Sequence, residues 1–297
     1  MKEAPNRDDL LFPPIEQPKA TTLRFKHLKQ PIWTENKARL IQRYLYYFVM
    51  VTKHGAYIDA FAGPQRMSKL DAWAAGLVLA GQPKQFHLRH YFLIELDWKK
   101  IPPLETLRDQ YTTGVSRVQI EVHQGDCNTI IPTLLAGRPI SDHEATFCLL
   151  DQRTFECHWA TVEALAQYKT SGHKIELFYF LPNSWLPRAV SRTKNIERLR
   201  LWWGRDDYST FLRLPQEMRS DTVCQRFRQD LGYAHVVPFP IFEKRRGRRI
   251  MYYMIHATDH PQAPKLMVRA YNTAVLPPEP EEQLLLELGA ETGMAES

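Results

Sequence analysis

Carboxylates close four apolar runs in the first 151 residues of the chain. Asp59 ends "YIDA", Glu95 with Asp97 ends "YFLIELD", Asp126 ends "VQIEVHQGD", and Asp151 ends "ATFCLLD". Gly63 follows the first of them within the turn of "YIDAFAGPQ", residues 57–65. In an open parallel sheet, ligands sit at the carboxyl ends of the strands near the point where strand order reverses, so such residues would share one crevice. The series does not suit a phosphate. The sequence has no GxxxxGK[ST], and Gln65 stands where GxGxxG would want a further glycine.

A carboxylate ending the second strand suits a ribose, because it can accept both hydroxyl protons. Asp126 could then accept from an adenine amino group. Asp59, Phe61 and Gly63 could meet an amino-acid moiety. Ribose, adenine and amino acid together make S-adenosylmethionine, which is the cofactor expected here. No GxSxG elbow or HExxH pair is present, so hydrolase readings lack a nucleophile or a metal. The four cysteines form no CxxC pair, and no metal is expected.

The elements that must carry these residues alternate. "IWTENKARLIQRYLYYFVMVTKHG" spaces Ile41, Leu45, Phe48 and Val51 as one helical face, with Thr34 as a candidate cap and Gly55 as a stop. Five strand-like runs then alternate with helical ones, from "AYIDA" to "KIELFYFLP"; Asp71 and Gly81 bound the helix "DAWAAGLVLAG". "AHVVPFPIFE" and "IMYYMIHAT" flank "KRRGRR" and read as an antiparallel hairpin. The fold class expected is α/β, with a mainly parallel sheet covered by helices on both faces. Residues 1–22 read as an extended arm, 23–275 as the α/β domain with a helical insertion at about 183–232, and 276–297 as an acidic tail.

Charge is uneven. The chain carries a formal +6, yet from residue 270 onward it has six acidic side chains and no basic one. Between 186 and 249 there are fifteen Lys/Arg against seven Asp/Glu. Lys244, Arg245, Arg246, Arg248 and Arg249 form the expected nucleic-acid-binding tip, since neutralised phosphates release counterions. Trp202, Trp203, Tyr208 and Phe211 interleave with arginines, which suits either stacking on single-stranded nucleic acid or burial of a helical insertion. No apolar run reaches the roughly 20 residues that span a bilayer, and the N-terminus lacks a secretory layout. A cytoplasmic protein with no membrane partner is expected.

"WTENKARLIQRYL", "YIDAFAGP", "FLIELD", "QGDCNTIIP" and "HPQAPKLM" occur in the order and style of the three-Cys-motif partner proteins (TcmP), which the chain resembles over roughly residues 30–275. That family is similar in fold to class I S-adenosylmethionine-dependent methyltransferases. The resemblance implies a Rossmann-like seven-stranded sheet with a C-terminal antiparallel hairpin, and a partner protein that bears the three cysteines. It also implies catalytic roles at the fourth strand's end, where Asp151 would orient the acceptor and Phe155 would contact a base. Two departures stand out. Gln65 replaces a glycine, and "DQRTF" lacks the prolines that make this turn rigid. Two functions stay open: a methyltransferase acting on or with nucleic acid, or a non-catalytic binding partner with a degenerate methyltransferase fold.

Overall fold

The structure, a computed structural model, describes residues 32–33, 36–65, 72–113, 118–192, 195–243 and 249–277. Five strands run parallel through the centre and one side of the sheet: β2 (Ala56–Asp59), β3 (His90–Glu95), β4 (Gln119–Gln124), β5 (Thr146–Leu150) and β6 (Glu176–Pro182). On the other side stand β7 (His235–Phe242) and β8 (Ile250–Thr258). β8 is antiparallel to both β6 and β7. A two-residue strand, β1 (Ile32–Trp33), pairs parallel with the end of β7. The order is β1-β7-β8-β6-β5-β2-β3-β4. Without β1 this is the Rossmann-like class I methyltransferase arrangement, so the expected seven strands become eight.

The sequence runs β2 outward through β3 to β4, then returns to β5 on the far side of β2. That reversal between β2 and β5 is a topological switch point, where loops diverge and leave a crevice. Alternation along the strands decides which side chain faces which helix layer. Tyr57 and Phe147 belong to one apolar cluster with helices α1 (Lys37–Thr52), α2 (Ala74–Ala80), α3 (Ile101–Thr112) and α10 (Ala263–Thr273). Ile58 and Cys148, one position on, belong to the other, with α4 (Cys127–Ala136) and α5 (Trp159–Gln167). β5 and β6 are buried at every position, as expected of parallel strands covered on both faces.

Between β6 and β7 the chain forms α6 (Leu186–Arg192), α7 (Ile196–Trp203), α8 (Tyr208–Arg213) and α9 (Gln216–Gln229). Trp202, Trp203 and Phe211 are buried, Trp203 stacks on Phe211 at 4.3 Å, and Arg226 lies 3.8 Å over the Trp159 ring. The burial alternative for these aromatics therefore holds. They pack the insertion onto α5 and present no stacking platform.

Two helix boundaries differ from expectation. α1 begins after Asn36, whose side chain makes no cap, and Thr34 lies outside the described residues. It stops at Thr52 through Lys53, whose φ of 67° breaks the helix. Gly55 serves packing instead, because a Cβ there would stand 2.5 Å from the Ala145 carbonyl. Asp71 also lies outside the described residues, while Gly81 ends α2 with its N–H on the Leu77 carbonyl.

Candidate functional site

A cavity of about 660 Å³ opens at the carboxyl ends of β2, β3, β4 and β5. Gly63, Glu95, Asp126 and Asp151, chosen from sequence as strand-end residues, all line it, as do Phe61 and Phe155. Strand register brings them together. Glu95 is paired with Gln124, and the Gly125 N–H reaches the Glu95 carbonyl at 3.0 Å. Gly125 adopts φ +151°, a backbone region that favours glycine.

The turn after β2 is held on two sides: the Ala60 N–H bonds to the Leu149 carbonyl and the Ala62 N–H to the Ile94 carbonyl. The Trp73 indole donates to the Ala62 carbonyl at 2.6 Å. This fixes Gly63 against Glu95. The Gly63 N–H donates to Glu95 Oε2 at 3.0 Å, the Asp97 N–H donates to Oε1 at 2.8 Å, and Lys100 Nζ stands 3.7 Å from Oε2. A Cβ on Gly63 would lie 2.3 Å from Glu95 Oε2 and 2.7 Å from Lys100 Cδ. The glycine is needed because a buried carboxylate occupies the space a side chain would take.

Asp59 stands behind the cavity wall. It is 2% exposed, accepts from Tyr57 Oη at 2.8 Å, and accepts from the Phe61 N–H at 3.1 Å. Burial pushes its pKa up to about 7 against the pull of those two bonds, with the Asp151 and Glu95 charges adding to the rise. Its contact with the turn is therefore through Phe61. Asp126 caps α4, and both of its bonds, from the Asn128 N–H and from Asn128 Nδ2, fall on Oδ1.

Asn128 went unnoticed in the sequence. Its Nδ2 also donates to the Glu156 carbonyl at 2.7 Å, and its Oδ1 accepts from the His158 N–H and Thr161 Oγ1. One amide thus ties the β4–α4 turn to the start of α5. Nothing local marks it, because its partners lie about thirty residues away.

The β5 end departs from expectation in two ways. Asp151 forms an ion pair with Lys37 at the start of α1, and Gln65 Nε2 reaches its Oδ2 at 3.4 Å. Burial disfavours the Lys37 ammonium, but Asp151 with Tyr252 and Asp59 outweighs it and holds the Lys37 pKa above its ordinary value. Gln65 and the "DQRTF" turn therefore touch each other through Asp151. Loss of the prolines has not left the turn loose. Gln152 is buried, donates to the Phe180 carbonyl at 3.1 Å and accepts from the Cys157 N–H at 2.9 Å. Phe155 is 1% exposed and meets Trp202 edge-on at 5.0 Å. Its ring supports the wall from within the core and offers no open face to a base.

Of the basic tip, Lys244, Arg245, Arg246 and Arg248 lie outside the described residues, and Arg249 is exposed. The insertion's described arginines are largely committed: Arg198 to Glu156, Arg200 to Asp206, and Arg205 and Arg226 to Asp230. All four cysteines are buried free thiols. No described helix is long and apolar enough to cross a membrane.

No family model matches the chain. No curated protein matches it either. Among solved structures, it is similar to the CurJ carbon methyltransferase (13% identity, TM-score 0.42), covering 70% of this chain and 49% of that one. It is also similar to a Listeria monocytogenes protein assigned to the class I S-adenosylmethionine-dependent methyltransferases. There the identity is 12%, the TM-score 0.37, and the shares covered 77% and 61%. A third is the YcgJ protein of Bacillus subtilis, at 11% identity and TM-score 0.35, covering 72% of this chain and 95% of that one. The chain thus spans about half of the first and less than two thirds of the second.

Proposed function

We propose that the chain binds S-adenosylmethionine in the cavity at the ends of β2–β5 and is a methyltransferase. The observation that carries this is the Gly63–Glu95 contact, a glycine kept bare so that a buried carboxylate can stand beside the turn. Each Glu95 oxygen already accepts one backbone N–H, and a carboxylate has about four acceptor sites, so capacity remains for both ribose hydroxyls. Asp126 Oδ2 has no bond among the described residues and would accept an adenine amino proton. Leu96, 67% exposed and lining the cavity, would cover an apolar ring face.

Bound there, the cofactor would supply a sulfonium methyl group: the acceptor's lone pair forms the new bond, the C–S pair stays on sulfur, and the acceptor's proton leaves. Asp151 would orient that acceptor; burial raises its pKa, and Lys37 and Gln65 pull it the other way. Phe155 would act only by holding the turn that carries Asp151 in place.

A second reading is favoured by one observation. Asp151 is already engaged by Lys37 and Gln65, which suits a non-catalytic binding protein that keeps the cofactor pocket without turnover. A nucleic-acid partner rests on the basic run at 244–249, and a three-Cys-motif partner rests on the sequence resemblance. Binding of S-adenosylmethionine by calorimetry, followed by assay of S-adenosylhomocysteine release with candidate acceptors, tests the proposal. Binding with release supports a methyltransferase, binding without release supports the second reading, and no binding removes both.

A further inference from the structure

Six carboxylates and three cations line the cavity. Two of the cations are spent: Lys100 pairs with Glu95, and Arg198 pairs with Glu156 at 3.0 Å. Arg153 is different. It has no hydrogen bond or ion pair with any described residue, and it is exposed at the cavity wall. An exposed arginine is ordinarily only solvated, but the backbone carrying this one is held on both sides. Before it, Gln152 is bonded at both ends of its amide. After it, the Thr154 N–H and Thr154 Oγ1 both donate to the Glu156 carboxylate, at 2.6 and 3.3 Å. The guanidinium is thus mounted on a fixed turn, two residues from Asp151.

Part of the lining is apolar and open. Leu96 and Leu201 both line the cavity, from the β3 end and from α7, with 67% and 40% of their surface exposed. Trp98 and Ile196, beside them in sequence, are 65% and 62% exposed. Four of the five exposed large apolar residues among those described therefore belong to two segments that contribute to the lining of this cavity. Elsewhere the described surface shows only Leu276 of this kind.

Resting on the S-adenosylmethionine reading above, we infer that the acceptor is a small molecule with an apolar body and a single carboxylate. Arg153 is the residue that selects for that carboxylate. A guanidinium matches a carboxylate with two parallel hydrogen bonds, which an amide of the same shape cannot receive as a charge-assisted pair. The surplus of carboxylates in the lining disfavours a polyanionic strand, because each phosphate brought in would face like charge. Leu201, on α7, takes the apolar body, in the part of the cavity that the cofactor leaves open.

The experiment uses the full chain with saturating S-adenosylhomocysteine. Benzoate, indole-3-acetate and hexanoate are each titrated beside their primary amides, and binding is followed by ligand-observed NMR. At least one acid should bind about tenfold or more tighter than its amide, the ratio expected for a charge-assisted hydrogen bond. In Arg153→Gln the preference should fall to about twofold or less, with S-adenosylhomocysteine affinity unchanged. Arg153→Lys should keep only part of it. Equal binding of acid and amide in every pair, a preference that survives Arg153→Gln, or displacement of the acids by a single-stranded oligonucleotide would each overturn the inference. S-adenosylhomocysteine affinity, measured first, separates these outcomes from failure of the cofactor reading itself.

Discussion

Asp59→Asn should make the protein more stable at pH 8 and leave it unchanged near pH 4. Asp59 is 2% exposed, and its pKa in the folded protein is about 7 against an ordinary 3.8. Below the lower value both folded and unfolded chains hold the proton, so the residue contributes no pH dependence. Between the two values the folded state holds a proton that the unfolded chain has released. Stability therefore falls as pH rises through this window and levels off above about 7. Roughly three pKa units correspond to about 4 kcal/mol, a ceiling that relaxation around the charge will lower. Asparagine copies the neutral form in shape and can still accept the Phe61 N–H, so it removes the window without removing the bond. Urea unfolding of both proteins at pH 4.5, 6, 7 and 8 reads the effect directly. A stability difference that stays constant from pH 4.5 to 8 would refute the reasoning, and would mean that Asp59 is ionised at little cost.

Three further outcomes follow from the same geometry. Gly63→Ala should push the Glu95 carboxylate from its place and weaken S-adenosylmethionine binding about tenfold or more, measured by calorimetry; an unchanged affinity would show that Glu95 moves at no cost. Phe155→Ala should cost about 3–5 kcal/mol of stability by denaturant unfolding, as for a buried ring, whereas an open stacking residue would cost under about 1. Lys37→Met should destabilise by about 3–5 kcal/mol by leaving Asp151 buried without its partner, and adding Asp151→Leu should recover most of the loss. A double variant no better than the single one would contradict that assignment.

The strands could be read from sequence because burial on both faces leaves long apolar runs, and four of these runs close on a carboxylate at the strand's end. Gly63 and Glu95 were visible for that reason. Their mutual contact was not, since it depends on β2 and β3 lying side by side in register. Lys37 read only as the start of a helix, yet its partner lies 114 residues away on the far side of the switch point. Asn128, Gln152 and the Thr154–Glu156 contact brace the site, and Asn128 and Gln152 do so through single amides, which composition and periodicity do not distinguish from any surface residue. Phe155 was misleading, and the tryptophans of α7 stayed open between two readings, for the same reason. An aromatic residue near a polar turn suits a ligand face and a core equally until the packing is known. Arg153, inside the "DQRTF" turn, reads in sequence as one more solvated arginine, because its lack of a partner shows only once the turn is folded.

The central claim is that Glu95 holds a nucleoside cofactor at the end of β3. Titration calorimetry of the wild type and Glu95→Ala with S-adenosylmethionine tests it most directly. Saturable one-to-one binding by the wild type is expected, weakened by about 1.5–3 kcal/mol in the variant, as for a lost charge-assisted hydrogen bond. Binding of equal strength in both proteins, or no binding by the wild type, would contradict it.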